Sequence, residues 1–280
     1  MTVAVVTDST CYLPRGLAAE RGIGVVPVQV IIGGRPFDET DDDQAQRVEA
    51  ALADWQVVTT SRPSPERFVR AILAAQERGA DAVVIATLSA ALSATYESAL
   101  LAAKESALPV RVIDSGSIAM GLGFAVLDGA AAAARGAGLD AVADVVTTSA
   151  RDATVLFYVD TLEYLRRGGR VSAARAAVGQ SLQVKPLLRL SDGRVEMFDK
   201  VRTAGKALAR LAELAVEAAG SGPVRVAVQH LAAAARAEAL AEQLRTQLGI
   251  PVLECAVGGV VGAHVGPGMV AVIVSPEPSP

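Results

Sequence analysis

Residues 82–113 have the sequence AVVIATLSAALSATYESALLAAKESALPVRVI, which predicts a strand, a helix and a second strand in immediate succession. The runs at 82–87 and 110–113 are rich in valine and isoleucine, which favour strands. Residues 92–106 between them have a helical pattern and are long enough to cross over a sheet. Two strands joined in this way normally lie parallel. This unit therefore predicts an α/β fold with a largely parallel sheet.

The same alternation extends in both directions from this unit. In the first half it predicts strands at 3–7 and 25–32 and helices near 41–53, 64–78, 118–135 and 139–150. In the second half it predicts strands at 154–159, 224–229, 252–257 and 269–274, a hairpin over 184–199, and helices at 160–167, 203–219 and 232–248. A chain of 280 residues is longer than one average core requires. We therefore predict two α/β domains, residues 1–150 and 151–280.

The composition favours a folded protein that does not bind nucleic acid in general. Hydrophobic residues make up 51% of the chain and charged residues 20%, so a large core can be buried. The formal net charge of −4 argues against a general nucleic-acid binder. Residues 166–210 nevertheless contain eleven Lys or Arg against three acids. This basic stretch is either a solvated face or a surface that meets phosphate or an acidic partner.

The signatures of familiar enzymes and metal sites are missing. The sequence has no phosphate-binding P-loop, no dinucleotide fingerprint and no G-x-S-x-G elbow. Two cysteines, Cys11 and Cys255, and two histidines, His230 and His264, have no spacing typical of metal ligands. We therefore expect no metal and no cofactor.

The uncharged stretch 255–276 is the one candidate for a membrane span. Its many glycines disfavour a helix, so we predict two strands joined by a glycine-rich loop. The N-terminus lacks a basic segment and begins a strand instead of a signal peptide. We expect a cytoplasmic protein without stable membrane insertion.

Hydroxyl side chains recur where predicted strands end. They occur in Thr7-Asp8-Ser9-Thr10, Thr59-Thr60-Ser61, Thr87-Leu88-Ser89 and Asp114-Ser115. Each one alone is typical of a helix cap. Together they predict a site for a polar-headed ligand, because ligands bind beyond the carboxyl ends of strands in open α/β sheets. Ser93 opens the next predicted helix, whose free N–H groups favour a carboxylate or phosphate.

A series of motifs in a fixed order resembles the DegV family over essentially the whole chain. These motifs are V5-V-T-D-S-T10, T60-S-R-P-S64, L88-S-A-A-L-S-A-T-Y-E-S-A99, D114-S115, L162-E-Y-L-R-R-G-G-R-V171, K185-P-L-L188 and G262-A-H-V-G-P-G268. The resemblance implies two α/β domains with a fatty-acid site between them. Several members act as the fatty-acid-binding subunit of a bacterial two-component fatty acid kinase. In that system a separate ATP-binding subunit phosphorylates the acyl carboxylate.

The resemblance also implies roles for individual residues. It places Ser93, with Thr60 or Ser61, on the fatty acid carboxylate and His264 opposite that head group. It places Arg170 and Arg202 near the incoming phosphate or the partner. From the residues alone, His264 can equally bond loop carbonyls, and Arg170 can cap a helix end.

Three positions depart from the family pattern. Ala90 and Ala94 stand where serine and glycine are usual, and Arg62 stands where glutamine is usual. Ser93 is retained, so we expect the head-group site to survive while partner recognition is less secure.

A fatty acid also needs an apolar pocket for its tail. The sequence offers candidate lining residues on the predicted helices 64–78 and 118–135: Phe68, Ile72, Ile118, Leu122 and Phe124. At helical spacing, the same residues are also typical of ordinary core packing.

The leading hypothesis is a lipid-binding protein and not an enzyme in its own right. It would bury a long-chain acyl tail and present the carboxylate to a separate ATP-dependent kinase subunit. The alternative is a free-standing enzyme that acts on a carboxylate or phosphorylated substrate, with His264 as the acid or base. A DNA-binding regulator that uses residues 166–210 fits poorly with the acidic net charge.

Overall fold

The computed structural model describes residues 1–39, 44–54, 56–171 and 184–278. The strands are β1 (Val3–Asp8), β2 (Gly24–Val26), β3 (Gln29–Ile32), β4 (Arg35–Asp38), β5 (Val58–Ser61), β6 (Ala82–Thr87), β7 (Val110–Asp114), β8 (Thr154–Tyr158), β9 (Lys185–Ser191), β10 (Arg194–Val201), β11 (Val224–His230), β12 (Val252–Ala256) and β13 (Val270–Pro276). The helices are α1 (Leu17–Glu20), α2 (Gln44–Ala53), α3 (Pro65–Glu77), α4 (Thr95–Lys104), α5 (Met120–Ala134), α6 (Leu139–Asp152), α7 (Glu163–Arg167), α8 (Ala204–Ala219), α9 (Ala234–Leu248) and α10 (Gly259–Val265). Residues 41–43 of the predicted helix 41–53 and residues 172–183 of the basic stretch lie outside the described residues.

A parallel four-stranded sheet, in the order β2-β1-β6-β7, forms the centre of the first half. Helices α3 and α4 cover one face, and α5 and α6 cover the other. Because both faces are covered, every residue of β6 is buried, which explains its continuous apolar sequence. The predicted α/β fold with a parallel sheet is confirmed.

The predicted strand 25–32 is instead two strands in different sheets. β2 belongs to the parallel sheet, whereas β3 pairs antiparallel with β4 and β5 in a small separate sheet. Pro27 lies between them and has no N–H group to donate to a ladder. The next N–H group, that of Val28, donates to Ser9 Oγ at 3.0 Å instead of to a neighbouring strand. The chain therefore changes sheets at this point.

A mixed six-stranded sheet, in the order β10-β9-β8-β13-β11-β12, forms the second half. Helices α8 and α9 cover one face, and the other face packs against α5. Helix α5 contacts the parallel sheet through Leu122 and the mixed sheet through Phe124, so the two halves share a helix. The domain boundary near residue 150 stays a prediction.

The stretch 255–276 contains a helix that the sequence did not predict. Helix α10 connects the strands β12 and β13 in place of the expected open loop. Gly258 precedes the helix and Gly266 ends it with a φ of 74°. In the described part of the chain, no helix combines the length and apolar character needed to cross a bilayer.

Candidate functional site

A cavity of about 310 Å³ lies where the two larger sheets and the small sheet approach one another. Most of its wall is apolar. The mixed sheet contributes Val155, Phe157, Leu190, Val195 and Ala271, which lie on one face because side chains alternate along a strand. Helix α10 and the segment before α4 complete the wall.

One part of this wall is polar and brings together five of the residues predicted from the sequence. We call Thr60, Ser61, Ser93, Arg170 and His264 the polar cluster. Thr60 and Ser61 end strand β5, Ser93 precedes α4, Arg170 follows α7, and His264 lies on α10. Residues from both halves of the chain therefore meet at one site. The sixth predicted residue, Arg202, is exposed between β10 and α8 and does not line the cavity.

His264 is held in its neutral form within the cluster. Its Nε2 atom lies 2.8 Å from Thr60 Oγ1. Its Nδ1 atom is buried and has no hydrogen-bond partner among the residues that the structure describes. Desolvation, helped by the charge of Arg170, lowers the pKa of His264 to about 4. At neutral pH the ring therefore offers one donor and one acceptor but no charge.

Gly168 allows this placement of the imidazole. A Cβ atom at residue 168 would lie 2.2 Å from His264 Nδ1, which is far inside van der Waals contact. The backbone of the α7 C-terminus therefore packs directly against the ring. Only glycine permits that approach without moving the histidine.

Arg170 supplies the positive charge of the cluster. Its Nε atom donates to Leu92 O at 3.1 Å, and its Nη1 atom donates to Gly168 O. Burial lowers the pKa of Arg170, but a guanidinium stays ionised at physiological pH. No Asp or Glu is among the described residues that line this cavity. The polar cluster is therefore suited to an anion.

Most of the other strand-end hydroxyls serve the fold and do not reach the cavity. Asp8 accepts hydrogen bonds from Thr10 and from the N–H group of Leu88. Ser89 Oγ donates to Gly193 O at 2.7 Å, and this hydrogen bond connects the β9–β10 turn to the segment that follows strand β6 of the parallel sheet. The prediction of a polar site at the strand ends thus applies to a subset of these residues.

Of the predicted tail-pocket residues, the structure brings Ile118 to the cavity and leaves four elsewhere. Phe68 and Ile72 are buried between α3 and the parallel sheet, and Leu122 is buried between α5 and that sheet. Phe124 packs beneath the guanidinium of Arg225, which lies 4.7 Å from its ring centre. These apolar helix faces point towards cores, whereas the cavity wall comes from strands of the mixed sheet, from helix α10 and from connecting segments.

The missed wall residues carry a signal in the sequence. Residues 155–158, VLFY, form a continuous apolar run, as is usual in a strand that is covered on both faces. Such a run predicts a buried strand, but it does not say which face turns towards a cavity. Among the described residues, no group of three or more His, Cys, Asp or Glu is placed to hold a metal ion.

Fold and site together define a class of protein: an α/β protein with an apolar cavity that ends in an anion-compatible polar cluster. The chain belongs to the DegV family, whose family model, described as "Uncharacterised protein, DegV family", matches residues 2–277. A DegV domain-containing protein of Streptomyces coelicolor is 48% identical over 275 residues, which cover 98% of each chain.

Two solved structures share the fold closely and are also similar in sequence. One is described as showing fatty acid binding by a DegV family protein from Thermus thermophilus. It has 32% identity and a TM-score of 0.92, and the match covers 99% of this chain and 100% of that one. The other is described as DegV, a fatty acid binding protein from Bacillus subtilis. It has 30% identity and a TM-score of 0.90, with coverage of 99% and 100%.

Proposed function

We propose that this protein binds a long-chain fatty acid, with the acyl tail in the cavity and the carboxylate on the polar cluster. The observation that carries the proposal is the cavity itself, whose largely apolar wall includes hydroxyls, a neutral imidazole and two arginines, Arg62 and Arg170. The two similar proteins described as fatty acid binding support the same ligand class.

The two parts of the site contribute differently to binding. Burial of each tail methylene contributes about 0.8 kcal/mol, so the apolar wall supplies most of the affinity. Hydrogen bonds from Thr60, Ser61 and Ser93 to a charged carboxylate contribute roughly 1.5–3 kcal/mol each and fix the orientation. His264 contributes by orienting the Thr60 hydroxyl, which lies 2.8 Å from its Nε2 atom. The carboxylate would thus lie at a defined place in the polar cluster.

We further propose that the bound carboxylate is the substrate of a separate ATP-dependent fatty acid kinase subunit in the cytoplasm. A carboxylate oxygen would attack the γ-phosphorus of ATP, the bond to the β-phosphate oxygen would break, and ADP would leave. Arg170 and the exposed Arg202 would meet the phosphoryl oxygens or the partner, because a guanidinium pairs bidentately with such oxygens. The sequence has no nucleotide-binding motif of its own, which supports this division of labour.

The alternative of a free-standing enzyme with His264 as acid or base has less support. A pKa of about 4 makes His264 a weak base at neutral pH. No observation on the site favours this second function.

Two measurements on the same preparations test the proposal. Mass spectrometry of organic extracts should recover a fatty acid, and the purified protein should bind added palmitate or oleate. No fatty acid in the extract together with no binding of either would refute the function.

The kinase role is tested separately by adding a cognate ATP-binding subunit and measuring the acyl phosphate yield. Arg202→Ala should retain palmitate but lower the yield at least tenfold, while Arg78→Ala, an exposed arginine after α3, should change neither. A proportional loss of ligand and yield in Arg202→Ala would show that the two roles are not separate.

A further inference from the structure

Glu39 lies outside the cavity, and its carboxylate accepts a hydrogen bond from the first turn of α10, the helix that carries His264. Glu39 directly follows β4, and its N–H group donates to Val28 O at 2.9 Å. Its Oε1 atom accepts hydrogen bonds from Val260 N at 2.7 Å and from the Tyr12 hydroxyl at 2.9 Å. Its Oε2 atom accepts one from Ser9 Oγ at 2.7 Å. Three residues from two distant segments of the chain therefore donate to one carboxylate.

These contacts satisfy the beginning of α10. The first N–H groups of any helix lack partners within the helix. In α10 the N-cap residue is Gly258, which has no side chain to provide one. Glu39 accepts directly from Val260 N, and the Tyr12 hydroxyl accepts from Val261 N at 3.1 Å. Glu39 and Tyr12 therefore replace the missing N-terminal cap from more than 200 residues away in sequence.

The fit around this carboxylate is tight. A Cβ atom at residue 258 would lie 2.3 Å from Glu39 Oε1 and 2.7 Å from Tyr12 Cε1. The glycine before α10 is thus required by the carboxyl that caps the helix. Because α10 is only two turns long, the position of its first turn also determines where His264 lies.

We propose that Glu39 is a positioning residue for the polar cluster. Its carboxylate fixes the first turn of α10, and with it the imidazole of His264 against Thr60, so that fatty acid affinity follows the ionisation of Glu39. This inference rests on the proposed function, because it concerns how the head-group residues are held.

The surroundings of Glu39 make its ionisation sensitive to pH. Desolvation raises the pKa of Glu39 to about 7, and the nearby Asp8 carboxyl adds to that rise. The other titratable groups that face it are Tyr12 and Cys11, and burial raises the pKa of both. No cation pairs with Glu39 within the described ranges of the chain. Protonation would turn one acceptor oxygen into a donor facing groups that already donate.

The experiment compares palmitate affinity between pH 6 and 8 in the wild type, Glu39→Gln and Glu39→Ala. Glu77→Gln, a change at an exposed position on α3, is the matched control. We expect the wild type and the control to bind about tenfold more tightly at pH 8 than at pH 6. Glu39→Gln should bind with little pH dependence and at the weaker level. Parallel pH profiles for the wild type and Glu39→Gln would overturn the proposal.

Histidine resonances in NMR spectra provide a second readout that does not depend on the ligand. The chain has two histidines, so the ring signals of His230 and His264 can be assigned with one His264→Gln sample. In Glu39→Ala the His264 signals should move while those of His230 stay. Unmoved His264 signals in a folded Glu39→Ala protein would overturn the positioning role.

The two readouts separate this inference from the proposed function. If the wild type binds no palmitate at any pH, the proposed function fails, and the NMR result alone decides whether Glu39 positions His264. If Glu39→Ala does not fold, the pH profile and the His264 signals of Glu39→Gln decide the question.

Discussion

Thr60→Val tests the polar cluster with the smallest change of shape. The Thr60 hydroxyl lies 2.8 Å from His264 Nε2 and lines the cavity. When Nε2–H donates to this oxygen, the hydroxyl proton is free to donate to a carboxylate. Valine replaces the hydroxyl with a methyl group of similar size, so the cavity keeps its volume and loses one donor.

The expected loss of affinity follows from that single bond. A hydrogen bond to a charged group contributes roughly 1.5–3 kcal/mol, which corresponds to about a tenfold to hundredfold increase in Kd. Burial of the acyl tail is unchanged, so binding should weaken without vanishing. Valine favours a strand at least as well as threonine, but it leaves the buried His264 Nε2 atom without this hydroxyl, so we expect the free energy of unfolding to fall by about 1–3 kcal/mol.

Thr59→Val is the matched control. Thr59 is the preceding residue of β5, is exposed and does not line the cavity, because adjacent side chains of a strand point to opposite faces. The assay is displacement of a fluorescent fatty acid by palmitate, with thermal unfolding measured on the same samples. A Kd for Thr60→Val within twofold of that for Thr59→Val would remove Thr60 from the site.

Three further predictions follow from the contacts described above. Gly168→Ala places a methyl group against the imidazole of His264 and should weaken palmitate binding at least tenfold. Gly205→Ala is the control, because the space around Gly205 is open, and it should leave the affinity unchanged. Equal affinities of the two variants would contradict the expected steric conflict. Asp128→Ala removes a buried carboxylate that pairs with Arg225 through two hydrogen bonds, and it should lower the free energy of unfolding by about 3 kcal/mol in urea, against less than 1 kcal/mol for the exposed Asp140→Ala. Similar losses in the two variants would contradict this expectation. Because burial raises the pKa of Glu39 from 4.5 to about 7, the native state retains a proton that the unfolded chain releases, and stability falls between pH 4.5 and 7 by at most about 3 kcal/mol. Glu39→Gln should lack that decrease in urea titrations at several pH values, and an unchanged decrease would assign it to another group.

Local sequence was sufficient to predict most elements of secondary structure. The predicted strand 82–87 coincides with β6, and the predicted helix 64–78 differs from α3 by one residue at each end. Both carry strong local signals, a continuous apolar run in one case and a Ser-Pro start in the other. The prediction was wrong at 25–32, where a proline moves the chain to another sheet, and at 259–265, where a helix forms in a glycine-rich stretch.

The two errors have the same physical origin. The N–H group of Val28 and the first N–H groups of α10 find their partners far away in sequence, on Ser9, Glu39 and Tyr12. Local propensity does not include such partners, and tertiary contacts override it.

The sequence by itself determined the α/β class, the parallel sheet and the residue types of the polar cluster, because these depend on local periodicity and on motifs in a recognisable order. The tertiary structure alone decided which of those residues meet. It joins Thr60 to His264 across 204 positions, leaves Arg202 outside the cavity, and builds most of the apolar wall from strands of the mixed sheet, helix α10 and connecting segments. The physical reason is that an amphipathic element shows one apolar face in its sequence, while only the packing of whole sheets determines whether that face meets a core or encloses a cavity.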